Sequence, residues 1–280
     1  MLKSDKFTDI SKGKENVINT IKSQIQKQEG RFDDMDQDED HRKVWYLDTK
    51  KYELNKDNNF LLRIKKEFKK NGTLKGYDVS LKNRDDDRHI AAKYDLSNPI
   101  ENSDFKYEEF EFKFEEDILA PFHSKFSAST KFEFKQKPKL DSWQDILSVF
   151  PNLDLGISPT ESLLRVKGIM VKEFSYELGS IIFKDGNKAK TEISLWYKST
   201  EEDEEFSSIE NKTPEIVEFD IDIEAKESST DNGTLSNEFP SSLLDEAKTF
   251  YMALQKEDIA DLDAKRTKTE FFYEYEEQKQ

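Results

Sequence analysis

The sequence predicts a mainly β protein of the α+β class, built as one antiparallel sheet, sandwich or barrel with a few helices against it. Three observations lead there. About nine stretches alternate apolar and polar residues with the period of two that a half-buried strand requires. Turn-rich segments such as "KKNGTLKG" (69–76) and "KDGN" (184–187) separate some of them, as hairpins do. Helical spacing is confined to short stretches near the two ends and the middle.

Composition sets the outer bounds. The 280 residues include 21 Phe, 10 Tyr and 3 Trp, enough aromatic bulk for a core even though 37% of the chain is charged. Disordered chains lack that bulk. Only 9 Gly and 7 Pro are present, which excludes collagen-like and low-complexity classes. A formal net charge of −16 repels nucleic acid and anionic membranes at long range, without forbidding a local cationic pocket. With no Cys there is no disulfide, thiol catalysis or zinc–thiolate site. No stretch approaches the ~20 apolar residues of a membrane helix, and the first residues lack the apolar run of a signal peptide. These features lead us to expect a soluble cytoplasmic protein with no nucleic-acid or membrane partner.

Taken in order, residues 14–29 place Val17, Ile18, Ile21 and Ile25 at helical spacing. An acidic run follows, with Asp33, Asp34, Asp36, Asp38 and Asp40. It lacks the central Gly and closing Glu of a calcium-binding EF-hand loop, so it reads as a solvated loop. Residues 1–42 are therefore expected as a helix and acidic loop, ahead of a single domain over 43–280. Strands are expected near 43–48, 59–67, 76–83, 105–115, 130–137, 168–177, 189–198, 215–224 and 267–275. A helix near 142–150 has Ser142 as its N-cap. Another near 240–256 aligns Leu243, Leu244, Ala247, Phe250, Tyr251 and Leu254 on one stripe. Residues 198–213 and 226–237 read as polar loops.

The strands share an unusual property. In "FKYEEFEFKFEED", Phe110, Phe112 and Phe114 alternate with Glu109, Glu111, Lys113 and Glu115. Phe132 and Phe134 likewise oppose Lys131, Glu133 and Lys135, while Val217, Phe219, Ile221 and Ile223 oppose Glu218, Asp220, Asp222 and Glu224. Leu62 and Ile64 oppose Arg63 and Lys65, and Val79 and Leu81 oppose Ser80, Lys82 and Arg84. An ordinary wet face is mixed, and like charges across neighbouring strands repel. Closing the sheet into a barrel would turn these faces onto one polar lumen, with the phenylalanines pointing out toward the helices. Arg and Lys there would hold a polyanion, and the carboxylates a hard divalent cation.

The stretch "VWYLDTKKYELNKDNNFLLRIKKEFKKNGTLKGYDVSLKNR" resembles the triphosphate tunnel metalloenzymes, the CYTH-like superfamily. The resemblance rests on Tyr46, Asp48 and Thr49, then Leu54, then Leu62–Arg63–Ile64–Lys65, then Ser80–Leu81–Lys82. Later segments, "KTEISLWYK", "EIVEFDIDIE" and "TKTEFFYEY" among them, are similar to a bacterial branch of that superfamily, and the likeness spans roughly 43–275. It implies an eight-stranded antiparallel tunnel that binds triphosphate groups through inward Arg and Lys. It also implies Mg²⁺ or Mn²⁺ on inward carboxylates, serving triphosphatase or cyclase chemistry. The family's first-strand Glu–x–Glu–x–Lys is absent before Tyr46, Lys65 stands where a second Arg is usual, and Ser80 where Thr is usual.

The resulting expectation is a phosphorylated small molecule or polyphosphate held by Arg63, Lys65, Lys82, Arg84, Lys131 and Lys135, with Lys172 and Lys268 as further candidates. If metal-dependent hydrolysis occurs, its ligands would come from Glu109, Glu111, Glu192, Glu218 and Asp220. The competing expectation is a catalytically inactive binding or interaction protein that has kept the fold. The histidines (His41, His89, His123) are scattered, and Trp45, Trp143 and Trp196 lie in apolar contexts suited to a core. Neither a Gly–x–Ser–x–Gly elbow nor a Gly-rich phosphate loop is present.

Overall fold

A computed structural model describes residues 1–35, 39–103, 105–199, 206, 212–223, 226–229, 235–238, 241–262 and 267–274. Its strands are β1 (Arg31–Asp34), β2 (Glu39–Asp48), β3 (Phe60–Phe68), β4 (Leu74–Asp85), β5 (Glu109–Leu119), β6 (His123–Phe134), β7 (Leu164–Arg165), β8 (Met170–Ile182), β9 (Lys188–Ser199), β10 (Ile216–Asp222), β11 (Lys226–Ser229) and β12 (Leu235–Glu238). Its α-helices are α1 (Ile10–Gln26), α2 (Glu53–Asn58), α3 (Arg88–Ala91), α4 (Trp143–Leu147), α5 (Ser241–Leu254) and α6 (Lys268–Glu274). The protein is thus mainly β and antiparallel, as expected. Among the described residues no helix is long and apolar enough to cross a membrane.

The chain divides into two compact units. The first comprises Met1–Glu39, Phe174–Tyr197 and Ile209–Lys265. In it β10 pairs with β9, β9 lies beside β8, and β1 pairs with β8. Val17, Ile21 and Ile25 on α1 are buried, as are Leu243 and Phe250 on α5. The stripe read on α1 is therefore core-facing, whereas of the stripe read on α5 Leu243 and Phe250 are buried and Leu244 is 49% exposed; α1 packs against α5.

The second unit comprises Asp40–Glu173, Lys198–Ser208 and Arg266–Gln280. Its strands run in the order β2-β3-β4-β6-β5, with β7 on the free part of β2. One face carries the core. Trp45, Leu62, Ile64, Val79, Leu81, Phe132 and Phe134 pack against Trp143 and Ile146 of α4 and against Val149 and Phe150 just beyond it. The carboxylate of Asp145 accepts from the backbone N–H of Ser142 (2.8 Å) and so fixes the start of α4. The opposite face carries the charges.

Several expectations need correction. Among the described residues β5 and β10 each have a single strand partner, so the ladder has two edges and does not close into a barrel. Alternation specifies two faces, and closure is a separate property that it does not encode. The expected strand at 267–275 is helix α6, so one strand of the barrel is missing. Thr267 N–H donates to Glu270 Oε2 (2.6 Å) and Glu270 N–H to Thr267 Oγ1 (3.2 Å), a reciprocal capping box. Phe271 and Phe272 are both buried, which one face of a strand does not permit for adjacent residues. The expected loop over 226–237 contains β11 and most of β12, which pair antiparallel. Phe105 and Lys106 precede β5; Phe105 drops into the core edge-on to Phe132 and Phe134, at 5.2 and 5.1 Å. The expected loop over 198–213 lies largely outside the described residues.

The phenylalanines also divide. Phe132 and Phe134 are buried under α4 and its neighbours, on the side expected. Phe110, Phe112 and Phe114 are on the same face but remain 44%, 39% and 42% exposed.

Candidate functional site: the charged face of the second unit

Pairing register places the charged residues in rows. Directly opposed residues in antiparallel strands share a face. One row reads Val44, Lys65, Asp78, Glu133, Glu109 across β2, β3, β4, β6 and β5. The next reads Tyr46, Arg63, Ser80, Lys131, Glu111. Beyond it come Leu61, Lys82, Ser129, Lys113, and then Arg84, Ser127, Glu115. In the other direction Arg42 opposes Glu67. Five of the six expected anion-binding residues therefore share one face: Arg63, Lys65, Lys82, Arg84 and Lys131. Lys135 lies past the end of β6, 77% exposed, and its Nζ is 2.7 Å from Glu108 Oε2.

Most of these cations are already matched. Lys82 Nζ is 3.0 Å from Glu115, Arg84 Nη2 is 2.7 Å from Asp117, and Lys131 Nζ is 2.9 Å from Glu133 and 3.9 Å from Glu111. Lys65 Nζ lies at a longer 3.4 Å from Glu173. Glu173 also receives Arg42 Nη1 at 3.0 Å and faces Lys268 Nζ at 3.7 Å. Arg42 is closed on its other sides by Asp40 (2.8 Å) and Glu67 (3.0 Å). The face is thus a lattice of ion pairs rather than a uniformly cationic lining.

Arg63 is the exception. It is half-buried, and among the described residues no carboxylate pairs with it; its Nε is buried without a hydrogen-bond partner, as is that of Arg84, which Asp117 holds through Nη2. Its cross-strand neighbours are Tyr46 and Ser80, with Lys65 two residues along on the same face. Aromatic side chains of α6 cover Tyr46: Phe272 lies 4.7 Å and Tyr273 6.4 Å away between ring centroids. Water is thereby kept from one flank of the guanidinium's neighbour, in surroundings where an unmatched cation is costly.

The local electrostatics reflect this crowding. Burial, then repulsion from Arg63, Arg42 and Lys268, pushes the Lys65 ammonium down to about 8, against the pull of Glu173. Burial, then Glu67 and Glu133, pushes the Asp78 carboxyl up to about 6. Asp78 sits directly between Lys65 and Glu133 in register.

The motif residues Asp48 and Thr49 have structural work. Asp48 is fully buried and accepts from the N–H groups of Thr49 (2.7 Å), Leu54 (2.9 Å) and Asn55 (3.1 Å), and from Tyr273 Oη (2.9 Å). Thr49 Oγ1 accepts from Glu53 N–H (3.0 Å). Together they hold the first turn of α2 and anchor α6.

The expected metal ligands are dispersed. Glu109 and Glu111 lie on β5, and Lys113 (3.3 Å) and Lys131 (3.9 Å) engage Glu111. Glu192 lies on β9 of the first unit, opposite Asp220 on β10, with Glu218 two residues from Asp220. Among the described residues no group of three or more Asp, Glu or His side chains is placed to hold a metal ion. The residues present do not fit the metal centre that the resemblance implies. Lys172 is fully buried on β8, and Lys268 sits on α6 rather than on a strand.

Sequence reading missed Arg42, Asp78 and Glu173. β8 is buried on both faces around Glu173, so alternation there is lost. Arg42 lies next to the acidic run, in which Asp40 reads as one more solvated charge. No protein-family model and no curated protein matches the chain.

Proposed function

We propose that the charged face of the second unit binds a small phosphoryl-type oxyanion, the terminal phosphate of a phosphorylated metabolite or of a triphosphate. Arg63 is its primary ligand, with Lys65 and Lys131 as flanking cations. One observation carries this reading: among the described residues Arg63 is the cation of the face with no carboxylate partner, and its buried Nε, like that of Arg84, has no acceptor, whereas Arg84 is held by Asp117 through Nη2. A guanidinium offers five donors in a planar fork that matches phosphate oxygens in pairs. An oxyanion at Arg63 displaces no existing ion pair, whereas one at Lys82 or Arg84 must compete with Glu115 or Asp117.

The reading needs neither a closed tunnel nor a metal held by the protein. Mg²⁺ or Mn²⁺ enters it only as an ion carried in with a triphosphate. Non-enzymatic binding is accordingly the function proposed, and hydrolysis is the alternative that the same experiment exposes.

Thermal melts and calorimetry with inorganic phosphate and tripolyphosphate, with and without Mn²⁺, test it. A ligand at 100 times its Kd stabilises the fold by ~2.7 kcal/mol. Arg63→Ala abolishes that gain and keeps the unliganded melt close to wild type. No shift with either anion overturns the proposal. Phosphate release that depends on Mn²⁺ replaces it with the hydrolytic reading.

A further inference from the structure

β5 is an open edge. Among the described residues it pairs only with β6, over Glu109–Leu119, which leaves every second N–H and C=O along its outer side available to another strand. Its Phe110, Phe112 and Phe114 continue the face that β6 buries at Phe132, yet each remains about two-fifths exposed. Natural edges are usually blunted with proline, a bulge or charged side chains. β5 has no proline and its register with β6 is regular throughout; it does carry charges, and those at its centre, Glu111 and Lys113, are of opposite sign.

We propose that two copies of this chain pair through β5, antiparallel about a twofold axis at Phe112, so that their sheets become continuous. The sequence of the edge selects this partner and this register. With the axis at Phe112, that residue faces its own counterpart and Phe110 faces Phe114 of the second copy. On the other face Glu111 opposes Lys113, and by symmetry Lys113 opposes Glu111. Cross-strand aromatic pairs and opposite charges both favour pairing.

The neighbouring registers fail. An axis at Lys113 sets Lys113 on itself and Glu111 on Glu115, and an axis at Glu111 sets that carboxylate on itself. A slip of one residue puts phenylalanines opposite the wrong face. The chosen register does bring Glu109 near Glu115 and Glu108 near Glu116. In each pair one member already has a lysine: Glu115 with Lys82 (3.0 Å) and Glu108 with Lys135 (2.7 Å).

Sedimentation and light scattering of the full chain across a concentration series test the proposal. Wild type is expected to be a concentration-dependent dimer. Lys113→Glu raises the dissociation constant about tenfold or more, because the contact it reverses occurs twice. Glu111→Lys combined with Lys113→Glu restores the complementary pairs and the dimer. Because the chain has no cysteine, Phe112→Cys introduces a single thiol, and mild oxidation should link two copies there. Directly opposed strand residues have the Cα separation that a disulfide needs. Circular dichroism confirms that each variant folds. A wild type that stays monomeric at ~100 μM overturns the proposal and leaves the edge to a strand from another protein. So does a dimer that ignores the charge reversal and gives no cross-link.

Discussion

Arg42 and Arg63 lie on the same face of the same sheet, on adjacent strands, and in sequence they look alike. Three carboxylates hold Arg42, which is 15% exposed. No carboxylate holds Arg63 among the described residues, and its Nε is buried without a partner. Desolvating a charge costs several kcal/mol unless partners compensate. At Arg42 the fold supplies those partners. At Arg63 it supplies none among the described residues, and the proposed anion would take their places. Burial and residue type are similar, so what separates scaffold from receptor here is whether the protein completes the charge set itself.

The largest expected effect follows at Arg42. Arg42→Met removes from Glu173, 2% exposed, its 3.0 Å guanidinium partner, while Lys65 at 3.4 Å and Lys268 at 3.7 Å are more distant. An uncompensated buried carboxylate costs about 3 kcal/mol. Urea titration should show a lower midpoint at unchanged slope. Arg63→Ala in the same titration changes stability by less than about 1 kcal/mol, since it breaks no ion pair. If the two substitutions cost the same, the distinction between them is lost.

Next is Asp78, whose carboxyl is raised to about 6 from the ordinary 3.8. The native state therefore holds this proton more tightly than the unfolded chain between those values. Ionised Asp78 reduces stability above pH 6, and the penalty fades as pH falls toward 4. Full conversion of the shift gives ~3 kcal/mol, which partial exposure reduces to roughly 1–2. Asp78→Asn should stabilise the protein by that amount at pH 7 and by nothing near pH 4. It should also tighten anion binding at Arg63, by removing a like charge from the row beside it. A gain that persists unchanged at pH 4 would assign the effect to packing instead.

Lys65 gives a smaller, pH-dependent effect. Its ammonium titrates near 8 rather than 10.5, so its charge penalty is complete below pH 8 and is relieved as pH rises toward 10.5. A bound oxyanion favours the charged form, so binding takes up a proton. Affinity should fall about tenfold between pH 7 and 9, which calorimetry in buffers of different ionisation enthalpy can follow. In Lys65→Met most of that pH dependence disappears. A flat profile in wild type would remove Lys65 from the site and leave Arg63 alone.

How much of this was legible in the sequence depends on what each pattern encodes. Alternation in β3, β4 and β6 correctly separated Arg63, Lys82 and Lys131 from Leu62, Leu81 and Phe132. Alternation says nothing of closure, and the free edge at β5 follows from pairing between distant strands. The strand expected at 267–275 was read with the other β-patterned stretches, while the Thr267–Glu270 capping box, equally visible, was the stronger local signal. The unpaired state of Arg63 was not readable at all. It depends on where Glu173, Glu115 and Asp117 go, and those lie 110, 52 and 54 residues further along the chain.

The smallest expected effect is at Lys135, which alternation grouped with Arg63 and Lys131. Its strand ends at Phe134, and its ion pair with Glu108 joins side chains that are 77% and 50% exposed. Exposed pairs of this kind contribute between nothing and about 1 kcal/mol, because salt screens them and two long side chains must be ordered. Lys135→Ala should therefore leave the urea midpoint within about 0.5 kcal/mol of wild type and leave phosphate affinity unchanged, while Lys131→Ala lowers that affinity. The pair forms a useful control, since both lysines occupy one period-two pattern and differ in whether the strand carries them onto the face. If Lys135→Ala weakens the anion as much as Lys131→Ala, binding follows net charge around the sheet, and the specific site at Arg63 is refuted.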